Sequence, residues 1–227
     1  MDAQERWYRE VLRLEGEVVA DVGANVGRLS AFFFEAVGPK GRVVSIEPIP
    51  ANIAAIDKRI RKAGPRAKKR WQLKRCAVAP TVGKVRMRVV NAAWGTNAMV
   101  TSEGDELVEV AARPLVDLVP DATVVKLDIE GQEYAILPGA LAEMPGVHTW
   151  ALELHGVEGY PLEETLGLLK EHGFELLAAG QRRDDPKVWL SLPIDSTLTW
   201  DAIPGTPTTR DGLPGVFKML HVVARRR

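Results

Sequence analysis

The sequence predicts an α/β fold: a doubly wound, mainly parallel sheet with an antiparallel edge hairpin at the C-terminal end. Three observations point to it. Short apolar runs alternate with helical stripes along most of the chain. Runs such as Val18-Val19-Ala20, Val43-Val44-Ser45-Ile46 and Val124-Val125 suit strands covered by helices on both faces. After Phe174 the alternation stops, and strands follow one another with no helix between them. The composition, 46% hydrophobic and 26% charged over 227 residues, is that of a soluble globular chain and excludes disorder and collagen-like repeats.

Residues 1–16 are read as an N-terminal helix. The first strand, Glu17 to Asp21, ends in a glycine-rich turn. Leu29, Phe32, Phe33, Ala36 and Val37 then repeat as one helical face, which Gly38-Pro39 stops. Gly41 to Glu47 is the second strand. Pro50 suits a first helical position, and Ile53, Ile56 and Ile60 stripe the next helix as far as Gly64-Pro65. Trp71 to Val78 reads as the third strand, with further extended segments at Lys84–Val90 and Glu106–Ala111 around an aperiodic stretch. Thr123 to Asp128 is the fourth core strand; the helix after it, Gln132 to Leu141, contains Pro138. Val147 to His155 is the fifth strand. The helix from Pro161 to Gly173 starts with Glu163 and Glu164 and ends with Lys170 and His172, matching its dipole. Lys187–Leu192 and Lys218–Ala224 form the hairpin around a long loop, 193–217. The whole chain, 1–227, is read as one domain with a core at 17–180 and the hairpin and loop at 181–227.

Thirty Lys and Arg balance thirty Asp and Glu, so a whole-chain field attracting nucleic acid is not expected. Ten cations and no acid fall within 58–75. That segment is either a solvated helix end and loop or a docking patch for an anionic partner. The single cysteine, Cys76, allows no internal disulfide and reads as buried filler in an apolar strand. The charged start, Met1 to Arg6, lacks a signal peptide's apolar core, and no apolar run approaches the ~18 residues of a membrane span. A cytoplasmic, reducing setting is expected.

In open α/β sheets, ligands bind beyond the carboxyl ends of the strands. The first strand runs into Asp21-Val22-Gly23-Ala24-Asn25-Val26-Gly27 and then a helix. Its glycines permit a tight turn and close approach of a ligand, and Asn25 is of a type that tolerates left-handed backbone. Glu47 lies twenty residues past Gly27, the distance at which a carboxylate accepts from both ribose hydroxyls of a nucleoside cofactor. Two cofactors fit. A dinucleotide wants G-x-G-x-x-G at its pyrophosphate. Here the spacing is G-x-N-x-G, and Asp21 would repel pyrophosphate but help hold the ammonium of an amino-acid moiety. S-adenosylmethionine is favoured over NAD, with an NAD-dependent oxidoreductase as the alternative.

The fourth strand ends in Lys126-Leu127-Asp128-Ile129-Glu130-Gly131-Gln132-Glu133, with Lys126, Asp128 and Glu130 on one side by alternation. The fifth ends in Leu152-Glu153-Leu154-His155, with Glu153 and His155 on one face. Charges at the ends of apolar runs are costly unless they pair or face a cleft. Asp128, Glu130, Glu153 and His155 are therefore candidate catalytic groups, or else a structural ion-pair network.

These segments, with Ile46-Glu47-Pro48-Ile49-Pro50-Ala51-Asn52 and Arg113-Pro114-Leu115-Val116-Asp117-Leu118, resemble the FkbM-type family of S-adenosylmethionine-dependent methyltransferases. The resemblance covers about residues 17–180, and the Lys-x-Asp-x-Glu-Gly-x-Glu block is its most specific part. It implies a class I, Rossmann-like fold. It also implies methyl transfer to a hydroxyl of a sugar, glycan or secondary metabolite, with S-adenosylhomocysteine as product. By the same resemblance, the turn through Gly23, Ala24, Asn25, Val26 and Gly27 cradles the methionine end. Glu47, beside Pro48, holds the ribose, Ala77 and Val78 flank the adenine, and Asp128 lies near the amino-acid moiety and the methyl group.

An alcohol acceptor must lose a proton, and a positioned base assists. His155 or Asp128 is the expected base, oriented or tuned by Glu153 or Glu130. Asp128, Glu153 and His155 have the chemistry to hold a divalent cation, but no tight ligand motif supports one, and no metal site is predicted. Trp94, Asn97 and Met99, in the aperiodic stretch, either cover the acceptor or pin that stretch to the core. The expected partner is a small-molecule or glycan acceptor, with neither nucleic acid nor membrane. A non-catalytic binding module using the 58–75 patch is the remaining alternative.

Overall fold

The computed structural model describes residues 2–88, 107–156, 162–182, 189–192, 194, 198–201, 203 and 219–226. Trp94, Asn97 and Met99 lie outside the described residues, as does most of the loop 193–217. The chain divides into two compact units, one of residues 14–147 and one of residues 1–13 with 148–227. Among the described residues no helix is long and apolar enough to cross a membrane.

The chain opens on α1 (Ala3–Val11), part of the second unit. The first unit then alternates β1 (Val18–Val22), α2 (Arg28–Ala36), β2 (Arg42–Ile46), α3 (Pro50–Lys62), α4 (Pro65–Arg70) and β3 (Trp71–Lys74). After these come β4 (Ala77–Val78), β5 (Gly83–Arg88), β6 (Leu107–Arg113), α5 (Leu115–Leu118), β7 (Val124–Leu127) and α6 (Glu133–Glu143). The order β3-β2-β1-β7 forms a sheet in which every pairing is parallel. Strands β1, β2 and β7 are buried almost throughout, as their apolar runs require. Register aligns Asp21 of β1 with Ser45 on one side and Lys126 on the other.

The single strand expected over 71–78 is two. Beyond Lys74, Arg75 turns outward to pair with Asp57 at 3.0 Å, and Ala77-Val78 pair with β6 instead of continuing along β2. The resulting small sheet, β4-β6-β5, has its own apolar cluster of Ile49, Ala77, Ala79, Met87 and Ala112. In the basic segment, three arginines serve the fold. Arg70 lies 4.8 Å over the Phe34 ring and donates to the Gly38 and Gly41 carbonyls, Arg59 donates to the Val26 carbonyl, and Arg75 pairs as above. Lys58, Arg61, Lys62, Arg66, Lys68 and Lys69 are exposed.

In the second unit, β8 (Thr149–His155), α7 (Leu162–Glu171), β9 (Phe174–Arg182), β10 (Trp189–Leu192) and β11 (Met219–Arg226) follow in sequence. The expected hairpin of the two C-terminal strands is not formed: each runs antiparallel to β9, so they run in the same direction and do not pair with each other. Both pair with β9, and β11 also pairs with β8, giving β10-β9-β11-β8. Leu220, Val222, Val223 and Ala224 of β11 are almost fully buried, which suits a strand with neighbours on both sides.

Trp7 of α1 stacks on Trp189 at 4.6 Å between centroids, and Trp189 covers Gly180 of β9. A Cβ at Gly180 would sit 2.1 Å from the Trp189 indole nitrogen. Because that ring is held by Trp7, Gly180→Ala is expected to cost about 1–3 kcal/mol. Thermal denaturation should show a fall of about 2–12 °C; an unchanged melting temperature would mean the stack yields freely.

Candidate active site

The turn after β1 is built against the end of β2. The amides of Gly23 and Ala24 both donate to the Ile46 carbonyl at 3.1 Å. Gly23 and Gly27 have φ of 72° and 75°, and Asn25 between them has φ of 52°. A Cβ on Gly23 would lie 1.8 Å from the Asp128 carbonyl oxygen, so only glycine lets the β1 and β7 ends approach this closely.

Glu47 clamps that turn. One carboxylate oxygen accepts from the Asn25 amide at 2.8 Å, and the other from the Ile49 amide at 2.9 Å and the Asn52 side chain at 3.2 Å. A carboxylate offers about four lone-pair sites. Three are thus taken, leaving about one for a ligand hydroxyl where the sequence alone suggested two. Burial pushes the Glu47 carboxyl above its ordinary range, against the hydrogen bonds it accepts.

The turn after β7 is held in the same manner. Glu130 has a left-handed φ of 54° and Gly131 follows at 95°. A non-glycine residue in that region costs about 1–3 kcal/mol unless its surroundings enforce it. Here the fully buried Glu133 carboxylate accepts from the Ile129 amide at 2.7 Å and the Gly131 amide at 3.0 Å.

Behind these turns runs a buried polar row. Trp71 donates to the Ser45 hydroxyl at 2.7 Å, Ser45 to Ser30 at 2.7 Å, and Ser30 to Asp21 at 2.5 Å. The other Asp21 oxygen faces the Lys126 ammonium at 3.6 Å, and that ammonium donates to Asp128 at 2.9 Å. Asp21 is completely buried.

Gly23, Asn25, Glu47, Pro48, Val78, Asp128 and Glu130, all singled out from the sequence, line one cleft within residues 14–147. Asp21, Ala24, Val26, Gly27 and Ala77 do not line it. Asp21 belongs to the polar row, Ala24 and Ala77 are buried, and Val26 is at the surface with its carbonyl bound by Arg59. The α-carbon of Gly27 faces Ile56, where a Cβ would meet Cγ1 at 2.9 Å. Glu153 and His155 lie on β8 of the other unit, where Glu153 faces His221 of β11 at 3.5 Å. Sequence reasoning missed Asn52, Met87 and Cys76 as lining residues. It also left Lys126 and Glu133 without a role, although for Lys126 a charge inside an apolar run is itself the signal. Cys76 is buried and its thiol is pushed up by burial.

Burial raises the Asp21 carboxyl above its ordinary value, opposed by Lys126 and Ser30 and reinforced by Asp128. A raised carboxyl pKa favours folding fully below the unfolded value of about 3.9, and that contribution is lost as pH rises through the folded value. Asp21→Asn has no such loss. Its melting temperature relative to wild type should therefore climb as pH rises above about 4. A relative fall over that range would reverse the assigned direction.

Residues 21–176 match the family model described as the methyltransferase FkbM domain. The chain belongs to the FkbM family of S-adenosylmethionine-dependent methyltransferases. No match was found among curated proteins. Of the solved structures, an FkbM methyltransferase from Methylobacillus flagellatus KT aligns with a TM-score of 0.56 at 17% identity, covering 96% of this chain and 50% of that one. A precorrin-6y methyltransferase from Geobacter metallireducens GS-15 aligns at 0.53 and 15% identity, over 98% and 86% of the two chains. The tRNA methyltransferase TrmK of B. subtilis aligns at 0.54 and 11% identity, over 100% and 67%. At these identities the likeness is one of fold, the Rossmann-like methyltransferase fold. Membership of the FkbM family sets aside the NAD-dependent alternative.

The FkbM chain's cleft fits its cofactor. Among the described residues, three acidic residues, Glu47, Asp128 and Glu130, line it and no Lys, Arg or His does. Such a wall repels a pyrophosphate and suits a ligand carrying a sulfonium and an ammonium. Gly23 adds a wall with no side chain.

Proposed function

We propose that this FkbM protein transfers a methyl group to a hydroxyl oxygen of a sugar, glycan or secondary-metabolite acceptor. The observation that carries this reading is the cleft itself, lined among the described residues by acidic groups and by no cationic side chain. Bound S-adenosylmethionine supplies an activated methyl on a cationic sulfur, and S-adenosylhomocysteine is the product. Glu47 offers its free lone pair to a ribose hydroxyl, with Asn25 and Pro48 beside it. Asp128, paired with Lys126 at 2.9 Å, holds the ammonium of the amino-acid moiety. Glu130 and Asp128 share the turn after β7, and a carboxylate there accepts the acceptor's hydroxyl proton. The protein's main task is alignment, since holding the reacting groups in line removes most of the entropic barrier.

The test is a screen with methyl-labelled S-adenosylmethionine against sugars, hydroxylated metabolites, amines and tRNA. Label on an ether oxygen supports the reading. Label found only on amines or on tRNA would overturn the hydroxyl assignment and turn attention to the exposed lysines and arginines of 58–69.

A further inference from the structure

Lys126 is only 2% exposed, in a strand of four buried residues. Its ammonium donates to Asp128 at 2.9 Å and to the Gly23 carbonyl at 3.1 Å, with the Val22 carbonyl at 3.5 Å and Asp21 at 3.6 Å. Three of these residues, Val22, Gly23 and Asp128, line the cleft. Asp21 is in turn fixed by the Ser30, Ser45 and Trp71 row. The ammonium is thus held on one side by the fully buried Asp21, which does not line the cleft, and it ties that carboxylate to Asp128 and the Gly23 carbonyl, which do. Stability alone does not explain a cation here, because apolar replacements of buried ion pairs are often neutral or stabilising.

We propose that Lys126 is a positioning residue for the methyl-transfer site: it sets cofactor affinity through Asp128 and the Gly23 carbonyl while touching no ligand. This rests on the cofactor reading of the cleft. The experiment is a double-mutant cycle on the full chain, with S-adenosylmethionine affinity measured by calorimetry for wild type, Lys126→Met, Asp128→Asn and the pair. Each single change is expected to weaken binding about tenfold, and the pair by about the same tenfold, because both remove one coupled interaction. Lys126→Met alone leaves Asp21 buried without its cation. The same cycle is therefore run in an Asp21→Asn background, which removes that carboxylate and protects the fold.

A pair that loses about a hundredfold, the product of independent effects, would overturn the positioning role. So would Lys126→Met binding within twofold of wild type. Both outcomes leave the cofactor reading intact. Wild type that binds no S-adenosylmethionine at all would overturn the cofactor reading, and the role of Lys126 with it.

Discussion

Gly23→Ala is expected to abolish cofactor binding and to lower the melting temperature by about 6–12 °C, from a cost of about 3 kcal/mol or more. The new methyl would sit 1.8 Å from the Asp128 carbonyl oxygen and 3.0 Å from its carbon. Both are backbone atoms at the end of a buried strand, so no side-chain rotation relieves the clash. The φ of 72° adds strain for any residue with a Cβ. The only relief is separation of the two strand ends. That breaks the Asp128 amide bond to the Val22 carbonyl at 3.2 Å and the Lys126 bridge across the same gap. Thermal denaturation with and without S-adenosylmethionine reads both effects. A variant melting within 2 °C of wild type, estimated against a typical per-kcal shift, and still stabilised by the cofactor would show that this approach does not matter.

Glu47→Ala is expected to weaken S-adenosylmethionine binding about a hundredfold and to destabilise the fold. The side chain does two jobs at once. It offers one acceptor to the ligand, and it satisfies the amides of Asn25 and Ile49 and the Asn52 side chain. A buried donor left unpaired costs about 1–3 kcal/mol, and the Asn25 turn loses the contact that holds its left-handed backbone. Glu47→Gln is not a rescue, because its amide group turns a donor toward one of two backbone donors. Calorimetry on Glu47→Ala and Glu47→Gln should find both impaired. Near-normal affinity in either would remove Glu47 from the cofactor site.

Much of this site was legible because local motifs carried it. Gly23, Asn25, Glu47, Asp128 and Glu130 stand at strand ends, and strand ends can be found from apolar periodicity alone. Asp21 was misplaced for a physical reason. Its position at a strand end was clear, but its direction depends on Ser30 from α2 and Lys126 from β7, which only the packed sheet brings together. Ser45 within an apolar run and Ser30 on an apolar helix were the available signals, since buried polar groups need partners. Glu133 was missed because its role follows from the strained Glu130 backbone, which no composition reveals. The β10-β9-β11-β8 order escaped for another reason: antiparallel strands of similar character can pair in several orders, and the choice is made by long-range packing.

The most direct measurement is calorimetric titration of the wild-type chain with S-adenosylmethionine, S-adenosylhomocysteine and NAD. The cleft described here predicts one site for each adenosyl compound, mutual competition between them, and no binding of NAD. Binding of NAD without S-adenosylmethionine would contradict the carboxylate-lined cleft as a site for a cationic cofactor.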